Sequence, residues 1–96
     1  MGVKYGRKYS EIINELTAAV SQIEGINEFF EMNADQWAAL EDIDRAACLR
    51  TLSDDLFFAL GHDKRIMAGR GTVEYDPQRH ILKVYNNHRV SIINLV

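Results

Sequence analysis

The pair closest to a catalytic signature in this sequence is His62-Asp63. A histidine held by a carboxylate can act as a general base, but that needs the carboxylate on one ring nitrogen and a nucleophile on the other. Adjacency in the chain supplies neither, so the pair reads as a polar loop after a helix. His80 and His88 flank an expected strand. At roughly 3.3 Å per residue they are too far apart to share a metal ion. Asp54 and Asp55 point to different sides of a helix, unlike the paired carboxylates of a glycoside hydrolase. Glu41, Asp42 and Asp44 lack the glycine and the closing glutamate of a calcium loop. Cys48 is the single cysteine, which excludes an internal disulfide and a cysteine cage for a metal; its apolar surroundings read as a buried small hydrophobe. No catalytic residue, metal or cofactor is expected, and the chain reads as a non-enzyme.

Binding chemistry has more to offer. Gly69-Arg70-Gly71 could cradle a phosphate, but it precedes a strand instead of joining a strand to a helix, and it reads as a flexible lead into that strand. Lys64, Arg65, Arg70, Lys83 and Arg89, with Tyr75 and Tyr85 nearby, could build a stacking platform for single-stranded nucleic acid. The net charge of −3 over 96 residues opposes that reading and leaves it as the alternative. The charge is also segregated. Residues 1–8 carry +3, residues 9–61 carry −9 and residues 62–96 carry +3. A block that acidic steers association with a basic partner. Glu24, Glu28, Glu31, Glu41 and Asp42 are therefore candidate partner-binding residues.

Elements must position these groups. Ile12, Ile13, Leu16, Ala19, Val20, Ile23 and Ile26 recur at steps of three and four, which predicts a helix from about residue 10 to about residue 31, crossing Gly25. Asn33-Ala34-Asp35-Gln36 has the form of a capping box opening a short helix with Trp37 and Leu40. Asp42 then caps a helix over residues 43–60 with a stripe of Ala46, Leu49, Leu52, Leu56 and Leu60, closed by Gly61. From Thr72 the period changes to two. Strands at 72–76, 81–85 and 89–95, separated by Asp76-Pro77-Gln78-Arg79 and by Asn86-Asn87-His88, predict an antiparallel meander.

Register follows from the pattern of faces. A two-residue Asn86-Asn87 turn would set Lys83 against Val90 and mix charge into both faces. A three-residue loop, with Asn87 or His88 left-handed, gathers Val73, Tyr75, Leu82, Val84, Val90 and Ile92 on one apolar face. The outer face then carries Ile81, Tyr85, Ile93 and Leu95, more apolar surface than a solvated face needs and a candidate for a homodimer.

The expected fold is α+β. A helical hairpin of two main helices and a short connecting helix packs on a three-stranded antiparallel meander. Residues 1–96 are expected to form one domain: a basic arm at 1–9, the acidic helical half at 10–61, a loop at 62–71 and the meander at 72–96. No apolar run approaches the roughly 20 residues of a membrane-spanning helix, and no apolar segment follows the basic N-terminus as in a secretory signal, so the expected address is cytoplasmic with no membrane partner. The expected function is a small protein-interaction module, of the kind that phages and mobile elements use to modulate or inhibit a host protein.

Overall fold

In the computed structural model, which describes residues 2–96, the first apolar stripe forms α1 (Tyr9–Val20) and buries Ile12, Ile13, Leu16, Ala19 and Val20. The helix stops eleven residues short of the expected end at 31. Gly25 takes the left-handed conformation at φ 79°, so the chain turns there and restarts as the single turn α2 (Ile26–Phe29). Ile23 and Ile26 stay buried through the turn, so the stripe continues although the helix does not.

α3 (Ala34–Ala39) opens on the expected capping box. The Gln36 amide donates to Asn33 Oδ1 at 2.8 Å, and the Asn33 amide donates to Gln36 Oε1 at 2.9 Å. α4 (Asp42–Ala59) has Glu41 at its N-cap position, one residue before the expected Asp42, and no side-chain capping bond is made there. Its buried side is Leu49, Leu52, Ser53, Leu56 and Phe57, with Leu60 following; Ala46 is exposed and Cys48 only half-buried. α1 and α4 lie antiparallel. Their seam includes Ser53, which donates to the Leu49 carbonyl at 2.9 Å and accepts from Thr17 Oγ1 at 3.0 Å, so this buried hydroxyl is satisfied.

The sheet has four antiparallel strands in the order β1-β2-β3-β4: β1 (Arg65–Ala68), β2 (Gly71–Asp76), β3 (Ile81–Asn86) and β4 (Arg89–Asn94). The class is α+β as expected, but the segment read as a loop at 62–71 supplies a fourth strand. Gly69-Arg70 is the two-residue turn of the β1–β2 hairpin, with Ala68 opposite Gly71. Gly69 is left-handed at φ 57°, and a Cβ there would sit 2.9 Å from the Glu24 carbonyl oxygen.

The register of β4 also differs. The connecting loop is two residues, Asn87-His88, with neither left-handed, and it sets Leu82 opposite Ile93, Lys83 opposite Ile92 and Tyr85 opposite Val90. Ile93 and Leu95 therefore lie on the inner face, 2% and 0% exposed, while Val90 and Ile92 face outward. Shifting a strand by one residue exchanges its faces. The observed register gives up Val90 but buries Leu95, which the N-terminal arm holds in place. The Gly6 and Arg7 amides donate to the Leu95 carbonyl at 2.7 and 3.1 Å, and Val3 of the arm is buried. The core is one apolar cluster drawn from the arm, α1, α4 and the inner face of the sheet. No helix among the described residues is long and apolar enough to cross a membrane.

Candidate interaction surface

The side chains with catalytic potential do not converge. His62 is exposed, its ring 5.9 Å from Phe58, and it makes no hydrogen bond to Asp63. His80 sits left-handed in the β2–β3 turn, and His88 is exposed in the β3–β4 turn. Asp54 accepts from the Tyr9 hydroxyl at 2.8 Å. Burial, followed by this bond to a carboxylate, pushes the Tyr9 phenol up to about 12. Among the described residues, no three or more His, Cys, Asp or Glu side chains gather as a metal site.

The basic strand half does not form a continuous positive patch. Arg65 pairs with Glu74 at 3.5 Å, Lys83 with Asp76 at 3.8 Å, Arg79 with Asp76 at 3.6 Å and Arg70 with Glu24 at 2.8 Å. Tyr75 is buried on the inner face, and its hydroxyl accepts from the Lys4 amide. Tyr85 is half-buried on the outer face beside Glu74. Lys64 and Arg89 are exposed without an ion pair among the described residues, but a platform for stacking bases also needs exposed rings, and Tyr75 and Tyr85 do not offer them.

The five acidic candidates separate into two groups. Glu24 works inside the fold. It accepts from Asn87 Nδ2 and pairs with Arg70, and these contacts, the Asn87 bond first, hold its carboxyl below the usual carboxylate range. The Arg70 amide also donates to the Glu24 carbonyl at 2.9 Å. This clasp ties the turn after α1 to the hairpin turns at Gly69-Arg70 and Asn87-His88. Glu28, Glu31, Glu41 and Asp42 are exposed, and they follow the Glu24 turn along the stretch that joins α1 to α4, at that end of the helical layer.

That end consists of α2, α3 and the first two turns of α4. α3 buries no residue, and α4 buries none before Leu49. The segment is held mainly by local contacts. Trp37 stacks on Phe30 with ring centroids 5.2 Å apart and planes within 7°. Arg45 turns inward, donating to the Trp37, Ala38 and Leu40 carbonyls at the end of α3 and pairing with Asp42. Arg45 is the single basic residue of the segment 26–47, against Glu28, Glu31, Asp35, Glu41, Asp42 and Asp44. All six acids are exposed. Among them stand two large apolar side chains, Ile43 at 75% and Phe29 at 47% exposure. Asp35, Asp44, Phe29 and Ile43 are additions to the sequence-based candidates. Ile43 could have been found, because it lies off the α4 stripe and so cannot face the core.

The outer sheet face carries Ile81 and Tyr85 as expected, both half-buried. Ile93 and Leu95 are not part of it, since both are in the core. Their places are taken by Val90 and Ile92, with Met67 from the unforeseen β1. Comparison with protein-family models, curated proteins and solved structures gave no match to this chain.

Proposed function

We propose that this chain is a non-enzymatic protein-interaction module that docks its acidic helical end, residues 26–47, onto a basic and partly apolar surface of another protein. The observation that supports this most is the occurrence of six exposed carboxylates with exposed Ile43 and Phe29 on a segment whose hold on the core is Ile26, with Phe30 and Trp37 packed against it. Exposed apolar residues ringed by one sign of charge suit a partner of the opposite sign. The apolar residues give contact area, and the charges speed encounter and suppress wrong partners. Arg45 is held by the carbonyls of α3 and by Asp42, which leaves the other five carboxylates without an ion pair among the described residues. The ion-paired basic residues of the sheet give nucleic-acid binding no comparable support.

The test uses immobilised protein and nuclease-treated lysate of the source organism. A captured protein should be lost when Glu28, Glu31 and Glu41 are all changed to Gln. Its association rate with wild type should fall as salt screens the exposed charges, over a Debye length of about 8–10 Å. Capture that survives the triple substitution, or that disappears with nuclease, would contradict the proposal.

A further inference from the structure

The β4 edge of the sheet supports a second inference, independent of the helical end. The Leu95 amide donates to the His80 carbonyl at 2.9 Å, continuing the β3–β4 ladder. In an antiparallel pair, hydrogen-bonded and non-hydrogen-bonded positions alternate. Arg89, Ser91 and Ile93 therefore bond back to β3, and Val90, Ile92 and Asn94 direct their N–H and C=O groups away from the sheet. The Asn94 carbonyl is taken by Arg7 Nη1 at 3.0 Å. Among the described residues, nothing bonds the outward groups of Val90 and Ile92. Both side chains are more than half exposed. Natural edge strands are blunted by shortness, charge, proline or cover. β1, at the other edge, has four residues and begins with Arg65. β4 has six, with no charge and no proline from Val90 to Asn94.

We infer that β4 pairs antiparallel with β4 of a second copy of this chain, with Ser91 on the two-fold axis. This register places Val90 opposite Ile92 of the other copy, and it satisfies the outward N–H and C=O of both residues in both copies. The charges around the edge favour this occupant. α1 runs antiparallel to β4 on the inner face, and its stripe of Glu15, Ala18 and Gln22 borders the groove beside Ser91, Ile92 and Ile93. Glu15 stands at the Asn94 end, where Arg7 bonds both. Arg89 stands at the other end; it is exposed, shares the inner-face side of the strand with Ser91 and Ile93, and has no ion-pair partner among the described residues. A two-fold rotation brings Arg89 of each copy to the Glu15 end of the other, once on each side of the axis. The small side chain of Ala18 lets the two α1 helices approach beside the paired strands.

Sedimentation at increasing concentration tests this, together with amide exchange of the same samples. Wild type should approach twice the 11.0 kDa chain mass at high micromolar concentration. The Val90 and Ile92 amides should exchange more slowly as the dimer forms. Ile92→Pro removes an outward N–H and no bond within the chain, since proline is tolerated at strand edges, and it should abolish the dimer while the circular dichroism stays native. Arg89→Glu sets like charges together and should weaken the dimer on the order of tenfold or more. A wild type that remains a monomer overturns the inference. So does a dimer that is indifferent to Arg89→Glu and leaves Val90 and Ile92 exchanging freely.

Discussion

Tyr9 shows how a single residue ties the arm, α1 and α4 together. Its ring meets Phe57 edge-on at 5.1 Å and lies 5.8 Å from the Tyr5 ring, and its hydroxyl donates to Asp54. The neutral phenol is the form this site favours, so folding raises its pKa from an ordinary 10.0 to about 12. A raised pKa gives stability that is fully present below the unfolded value and is lost as pH rises through the folded one. Alkaline unfolding should therefore include a contribution from Tyr9 in the window from about 10 to about 12. Ultraviolet titration of a variant keeping only Tyr9 among its tyrosines should show this late ionisation. Asp54→Asn should move it part of the way back, since burial is the larger cause. Gly69 makes a sharper demand, because its left-handed backbone and the nearby Glu24 carbonyl both exclude a side chain. Gly69→Ala should cost more than about 1 kcal/mol, measured as a lower denaturant midpoint.

At the scale of elements, what the sequence made legible was local. The Asn33–Gln36 capping box, the α1 stripe and the Leu49–Leu60 stripe each depend on contacts within a few residues, and each is present. Gly25 was visible as an interruption, but the length of the first helix depended on whether the chain turned there. β1 carries too little pattern to be read, with Arg65 and Met67 exposed and Ala68 its single buried residue. It is a strand because β2 offers it an edge and Gly69 can make the turn. The register of β4 was illegible for a similar reason. Local alternation permits Val90 and Ile92 inside or Ile93 and Leu95 inside, and the choice rests on the arm, 87 or more residues away in sequence, holding Leu95 and Asn94. The paired substitutions Ile93→Asp and Ile92→Asp separate the two registers. A charge at Ile93 enters the core unpaired and should prevent stable folding, while at Ile92 it meets solvent in the monomer and should leave the thermal midpoint nearly unchanged. The opposite pattern would restore the three-residue loop.

The whole molecule is elongated, 40 Å along its longest axis against 24 and 22 Å across, and its surface is divided by charge and packing. In the sheet half Arg65, Arg79 and Lys83 are paired with Glu74 and Asp76, and the Glu24–Arg70–Asn87 clasp locks the turns at one side. The segment 26–47 leaves five of its six carboxylates without an ion pair among the described residues, and leaves Phe29 and Ile43 uncovered. Sequence charge alone located the acidic half of the chain. It could not separate Glu24, which belongs to the fold, from Glu28 and Glu31 only a few residues on, because Arg70 and Asn87 reach Glu24 through tertiary contacts. Amide exchange of the protein with its captured partner decides whether residues 26–47 are the binding surface. Exchange should slow over residues 26–47 and stay unchanged across β1 and β2. Protection confined to the sheet, with α3 and the start of α4 exchanging as in the free protein, would contradict that assignment.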